Sequence, residues 1–323
     1  MNRILFITSN RIGDAVLSSG VLAHLIAQYP QAAVTVACGT LPAPLFADTP
    51  GLALLHRIVK RGRVGHWWDL WKAVGGSPWS VVVDVRSALF AWTVLAKKRM
   101  VCRTQERREH RIEELARQLD LDQLPSPRVW VSDERKARIR SQLGTGPVLA
   151  IGPTANWGAK QWPATRYAEA ARRLTAADGI LPDARIAVFG ATHERPAAEP
   201  LLRAIPAERR LDFVGLPDLL DAYALLGACS FYIGNDSGLM HMAAASGTPT
   251  LGLFGPSAEW RYRPWGARAA FVRTPESYEE LTGAPDFDWR RQDCLMKGLS
   301  TDAVAAAAGA LWNRLNAGND ASR

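Results

Sequence analysis

This chain of 323 residues has only four cysteines, Cys38, Cys102, Cys229 and Cys294, far apart and without a CxxC pair. Such spacing argues against a zinc site or a disulfide framework and fits a reducing cytosol. Cys38 and Cys229 stand in apolar runs and are expected in the core. No run approaches the ~18 uninterrupted apolar residues of a membrane span. The opening MNRILFITSN has too short an apolar core for a signal peptide and reads as a first strand. The expectation is a soluble, cytoplasmic protein. No repeat or low-complexity tract interrupts it. No helix-turn-helix, RNP or zinc-finger pattern appears, so nucleic acid is not expected as a partner. Neither G-x-G-x-x-G nor a Tyr-x-x-x-Lys pair is present, which argues against a dinucleotide-dependent epimerase.

What is present is globular: 48% apolar and 22% charged residues, in a chain long enough for two ordinary domains. The net charge of +8 asks for an anionic partner. An acidic membrane surface and a phosphorylated lipid both satisfy that balance.

The stretch from Ile233 to Pro256 organises the rest. Cys229 to Ile233 reads as a buried strand, and Gly234-Asn235-Asp236-Ser237-Gly238 as a turn that can cap a helix. Leu239 to Ser246 reads as a short helix, stopped by Gly247 and Pro249. Thr250 to Phe254 is the next strand, so the unit is a crossover of a parallel sheet. A helix start of this kind suits an anion such as phosphate. Asp236 is placed to meet a ribose hydroxyl pair, and His241 lies five residues on. Spacing alone leaves a second reading open, in which Asp236 or Ser237 caps the helix and His241 packs beneath it.

Upstream, Ile4 to Thr8 reads as a strand and Ala15 to Gln28 as an amphipathic helix, with Arg11-Ile12-Gly13-Asp14 between them. Position alone would make Asp14 a cap. Trp67, Trp68 and Trp71 are spaced like one helix face; most of the twelve tryptophans are expected in the core, and exposed ones are suited to a membrane interface. Val81 to Val85 is a buried strand whose end carries Asp84, Arg86 and Ser87, where open α/β sheets bind ligands. Basic runs stand at Arg57–Arg63 and from Lys97 to Arg111. One such run is ordinarily a solvated face, and two in the same half favour an anionic acceptor. Turn residues at Gly144-Thr145-Gly146-Pro147 place a domain boundary near residue 145. Val148 to Gly152 then opens a second set of strands, and Asp218 is placed to cap a helix from Leu219.

Asp236-Ser237-Gly238, His241, Ala243, Ala244, Pro249 and Phe254-Gly255-Pro256-Ser257 together fit D-[TS]-G-x-x-H-x-A-A-A-x-x-x-P and the strand after it. This resembles the C-terminal signature of glycosyltransferase family 9, which contains the ADP-heptose:lipopolysaccharide heptosyltransferases. Further matches are Gly13-Asp14 after the first strand, and Lys160, Trp162 and Pro163 of a K-x-W-P loop. The Gly190 turn ending in Glu194, the Arg261-to-Gly266 loop and Cys294 are shorter ones. Some relatives have more cysteines near Cys294, and this chain has one.

The resemblance implies an α/β GT-B fold, two Rossmann-like domains with parallel sheets facing a central cleft. Residues 1–145 would bind the acceptor and 146–323 the nucleotide-sugar, with the last helix packing back on the first domain. It implies Asp14 as general base and Lys160 as the diphosphate contact. Thr154, Glu194, Asp236, Ser237, Gly238, Leu239 and His241 complete the donor set. Gly13, Arg61, Arg63, Lys97, Lys98 and Arg103 are candidates for the acceptor or a membrane surface. The implied activity is inverting heptose transfer from ADP-heptose to an anionic lipopolysaccharide-core or lipid A–Kdo acceptor, at the inner face of the inner membrane. No D-x-D stands at a strand end; Asp120-Leu121-Asp122 ends a charged helix and reads as incidental. Metal independence is therefore expected, with no cofactor, the ADP-sugar being a substrate. Two alternatives remain at this point: a transferase for another nucleotide-sugar, and a non-catalytic nucleotide-sugar-binding protein of the same fold. Retention of Asp14 and Lys160 argues against the latter.

Overall fold

The computed structural model describes residues 2–59, 65–86, 89–103, 105, 107–216 and 218–320. The chain divides into two compact units, Met1–Ser132 and Asp133–Arg323.

The first unit runs β1 (Arg3–Ile7), α1 (Ile12–Gln28), β2 (Ala33–Gly39), β3 (Leu52–Ile58), α2 (Gly65–Val74), β4 (Trp79–Asp84), β5 (Ala96–Val101) and α3 (Arg111–Gln118). Its strands are parallel, in the order β3-β2-β1-β4-β5. β1 and β4 are continuous apolar runs because both faces of a parallel sheet are covered. One face packs on Leu70 and Val74 of α2 and on Phe90, Ala91 and Val94. The strand order reverses between β1 and β4, and a crevice at the carboxyl ends there is where such sheets take ligands.

The second unit runs α4 (Asp133–Leu143), β6 (Val148–Gly152), α5 (Ala164–Leu174), β7 (Arg185–Gly190), α6 (Arg195–Ala204), β8 (Arg210–Val214), α7 (Leu219–Ala228), β9 (Phe231–Asn235), α8 (Gly238–Ala245), β10 (Thr250–Phe254), α9 (Glu259–Tyr262), β11 (Ala269–Arg273), α10 (Tyr278–Thr282) and α11 (Thr301–Asp320). Its parallel sheet has the order β11-β10-β9-β6-β7-β8, reversing between β6 and β9.

The division between units falls before α4, where composition points to residue 145. The cause is a set of long-range ion pairs. Arg135 binds Asp218 at 2.7 Å and Arg138 binds Asp221 at 2.8 Å, fastening α4 along α7. Asp218 also caps α7 through Leu220 N, as its position suggests. Helix α11 packs on α5, β10 and β11, with Val304, Ala308 and Leu311 in the core of the second unit.

Three further details differ from the sequence reading. The strand ahead of α8 continues through Gly234 and Asn235, which pair with β10 and β6 instead of opening a turn. Helix α1 begins at Ile12, so Asp14 lies inside its first turn and Arg11 takes the cap position. Within α2, Trp67 packs on Phe90 while Trp68 and Trp71 face outward. The cysteines are free, and burial pushes the Cys38, Cys102 and Cys229 thiols up to about 12.

Candidate functional site

The carboxyl ends of β9, β6 and β7 lie side by side, and each delivers part of the predicted donor set. From β9 the chain passes Asp236 and enters α8, with Ser237 at the N-cap in extended conformation. Ser237 makes no side-chain cap bond, so neither capping reading of this turn holds. Asp236 turns instead to Lys160, whose Nζ donates to Oδ2 at 2.6 Å. His241, one turn into α8, brings Nε2 to 3.9 Å from Oδ1 of the same carboxylate.

Asp236 is buried, which by itself raises a carboxyl. Lys160, His241 and Ser257 outweigh that burial and hold the group below the ordinary aspartate range. The result is a fixed anion–cation pair beside a helix start whose amides lack a side-chain cap. Gly238 and Leu239 supply the first backbone N–H groups of that start.

Lys160 stands in a short 3₁₀ turn, Gly158–Lys160, whose neighbours are tied down by packing and hydrogen bonds. Trp162, which follows it, is buried and stacks edge-on against Tyr167 at 4.9 Å. Its indole Nε1 donates to Leu299 O at 2.9 Å, and its backbone N donates to Asn235 Oδ1 at 3.0 Å. Asn235 Nδ2 then donates to Pro153 O at 2.8 Å. One fully buried side chain thus clamps the β6 loop, the Lys160 loop and β9 together. Sequence reasoning assigned Asn235 to a turn and missed this role. The available signal was its place between Gly234 and Asp236, directly ahead of the helix start.

Close approach also explains two glycines. Gly152 and Gly234 are register partners across β6 and β9. A Cβ on Gly152 would lie 2.1 Å from the Tyr232 hydroxyl, and one on Gly234 at 2.2 Å. Thr154 leaves β6 and donates from Oγ1 to Glu194 Oε2 at 2.9 Å. That oxygen also accepts from Ala191 N at 2.7 Å. Glu194 therefore closes its own turn after β7 and anchors Thr154.

In the first unit, Gly39 at the end of β2 lets the Thr8–Arg11 loop approach. A Cβ there would meet Asn10 Cα at 2.5 Å. Gly39 N donates to Ser9 O at 3.2 Å, and the Thr8 and Ser18 hydroxyls bond at 2.6 Å. This loop sets the first turn of α1, with Gly13 and Asp14 half-buried, at the end of β1. Among the described residues no hydrogen bond or ion pair occupies the Asp14 carboxylate. The neighbouring end of β4 carries buried Asp84, which accepts from Arg86 N at 2.9 Å, and Arg86, whose guanidinium lies 5.1 Å from the Trp67 ring.

Of the predicted acceptor residues, Lys97 and Lys98 lie exposed on edge strand β5, and Arg103 is exposed just beyond it. Arg61 and Arg63 lie outside the described residues. Among the described residues no helix is long and apolar enough to cross a membrane.

Two parallel α/β units, each with chemistry-bearing side chains at the point where strand order reverses, define a doubly wound protein of the class that takes ligands at such crevices. Comparison with known proteins narrows this. The family described as Glycosyltransferase family 9 (heptosyltransferase) matches residues 86–284, and this chain belongs to it. It is 28% identical over 322 residues to lipopolysaccharide heptosyltransferase 2 of Salmonella typhimurium strain LT2, covering 86% of this chain and 90% of that protein. The fold is shared with a family 9 glycosyltransferase from Veillonella parvula, at TM-score 0.77 and 18% identity over 96% and 97% of the two chains. It is shared also with the E. coli ADP-heptose lipopolysaccharide heptosyltransferase II, at TM-score 0.74 and 22% identity over 98% and 100%. The GT-B pair of Rossmann-like units expected from the sequence is the observed fold, and the chain is a glycosyltransferase.

Proposed function

We propose that this enzyme moves a heptose from ADP-heptose to an anionic lipopolysaccharide inner-core acceptor, with inversion at the anomeric carbon and without a metal ion. The observation that carries the reading is the buried Lys160–Asp236 pair at the start of α8, inside the residues that match the family. A lysine held there by a carboxylate is a pre-placed cation for a diphosphate, and the first amides of α8 add aligned dipoles.

In this mechanism the Asp14 carboxylate takes the proton of the attacking acceptor hydroxyl. The hydroxyl oxygen bonds to the anomeric carbon from the face opposite the leaving group. The bond from that carbon to the β-phosphate oxygen breaks, and ADP departs with its charge met by Lys160 and the α8 amides. Lys160 supplies the charge that a divalent ion supplies elsewhere. Thr154, Glu194, Asp236, Ser237, Gly238, Leu239 and His241 form the donor side. Gly13, Lys97, Lys98, Arg103, Arg61 and Arg63 are assigned to the acceptor side. Of the chain's +8 charge, +7 falls in residues 1–132, where 17 Lys and Arg stand against 10 Asp and Glu. That asymmetry supports an anionic acceptor on the Asp14 unit and work at the cytoplasmic face of the inner membrane.

The test is transfer by purified protein with ADP-heptose against UDP- and GDP-hexoses, each with EDTA, on a lipid A–Kdo acceptor. Expected is turnover of ADP-heptose in EDTA, with kcat lowered about 10²–10⁴-fold in Asp14→Asn. Turnover of another donor alone would overturn the heptose assignment. Dependence on a divalent ion would overturn the charge role given to Lys160.

A further inference from the structure

Helix α2 and the segment after β4 cover one face of the first sheet, and their outer surface is strongly apolar. Phe90, Ala91, Val94, Leu70 and Val74 point inward and fill the core. Outward stand Trp68 (55% exposed), Leu89 (83%), Trp92 (63%) and Leu95 (71%). Trp68 stacks face to face on half-exposed Trp71, with ring centroids 5.1 Å apart and planes 6° from parallel. Trp71 Nε1 donates to Thr93 O at 3.2 Å, which fastens α2 to the 89–95 segment as one surface. Burying Trp67 accounts for one tryptophan of α2, and folding of this unit gives no reason for the outward rings. A contiguous exposed apolar patch marks an interaction site.

The rim of the patch selects the partner. Lys72 lies 5.6 Å from the Trp68 ring, and Arg99 lies 5.5 Å from the Trp92 ring while donating to Ala91 O, Val94 O and Ala96 O. Exposed Lys97 and Lys98 follow on β5. Asp69, half-buried on α2, is the acidic residue of that helix. Indole rings prefer the boundary between water and hydrocarbon, where an apolar body and a polar N–H are both satisfied. Lysines beside them add attraction to anionic headgroups at such a surface. A protein-docking surface would favour arginine over lysine around its aromatic anchors.

We infer that Trp68, Leu89, Trp92 and Leu95, with Lys72, Lys97 and Lys98 around them, form the face by which this enzyme docks on an anionic lipid bilayer. The inference rests on the membrane-surface location given above and assigns it to one surface of the Asp14-bearing unit. The rings enter the headgroup layer and the lysines meet phosphate.

The experiment is flotation of the full chain with phosphatidylethanolamine–phosphatidylglycerol vesicles and with phosphatidylcholine vesicles. Tryptophan quenching by lipids brominated along the acyl chain is measured alongside. Binding is expected to the anionic vesicles, with quenching. The triple variant W68S/W92S/L95S should bind about tenfold or more weakly, equivalent to about 1.4 kcal/mol, and lose most of the quenching. Its thermal melt and its turnover on a detergent-dispersed acceptor should match the parent, which separates docking from folding and chemistry. Equal vesicle binding by parent and triple variant overturns the inference, as does a concentration-dependent dimer abolished by the variant without vesicle binding. Vesicle binding lost in the variant, in a protein inactive on every sugar donor, would sustain the docking face while the transferase reading failed.

Discussion

A buried carboxylate is tolerated when neighbouring charge answers it, and Asp236 meets that condition through Lys160 at 2.6 Å and His241 at 3.9 Å. Because its folded value is depressed, its contribution to stability is present above the unfolded aspartate value, about 3.9. That contribution is lost as pH falls through the lower folded value. Asp236→Asn should therefore flatten the acid limb of the stability–pH curve below about pH 4, leaving its shape at neutral pH unchanged. At neutral pH the same variant should lose roughly 3 kcal/mol, toward the low end for one partner of a buried pair, since Lys160 keeps some contact with water. Urea unfolding checks this through a lower midpoint at constant m. An unchanged midpoint at neutral pH would show that the pair contributes nothing to stability.

At the scale of elements, the β6–β9 seam is the most constrained part of the second unit, since both strands place a glycine where the Tyr232 hydroxyl sits. Gly152→Ala is expected to destabilise by about 1–3 kcal/mol through overpacking. Adding Tyr232→Phe should recover part of that, because the nearest atom is the hydroxyl at 2.1 Å and the next is the ring carbon bearing it, at 3.1 Å. Thermal melts of the two single variants and the double variant close the cycle. The seam also shows what a sequence discloses. Val148 to Gly152 and Thr250 to Phe254 were readable to the residue, because parallel strands are unbroken apolar runs bounded by turn residues. Asn235 was not, because an Asn after a Gly reads as a turn by propensity, and what holds it in a strand, its pairing with Leu253 and its side-chain bonds to Pro153 and Trp162, leaves no local pattern. Which tryptophans of α2 face outward was hidden for the opposite reason. An indole satisfies a core and an interface equally, and periodicity does not name which side of a helix is covered. Lys160 and Asp236 are each expected from the sequence as donor residues, yet their mutual contact spans 76 positions and leaves no local pattern.

For the whole molecule, the uneven charge sets a salt dependence. With +7 on residues 1–132, the KM for an anionic acceptor should rise with ionic strength as the Debye length shortens from about 30 Å at 0.01 M to about 10 Å at 0.1 M. The KM for the nucleotide-sugar should change less, because its cation is a paired, largely buried lysine. Steady-state kinetics across a salt series, varying one substrate at a time, measures both slopes. Equal slopes would remove the division of substrates between the two units. The two-unit fold itself was legible from strand–helix alternation and chain length, although the turn-rich stretch at 144–147 lies inside the second unit. The membership of α4 was not, since it depends on Arg135 and Arg138 finding Asp218 and Asp221 more than 80 positions away.

Helix α11 closing on its own sheet has an evolutionary consequence. Here the second unit is contiguous from Asp133 onward, so one recombination point at Ser132–Asp133 exchanges it whole. If the second unit reads the donor, as proposed, a single crossover there exchanges donor preference and leaves the acceptor unit in place. Chimeras joined at that point should inherit the donor preference of their C-terminal parent.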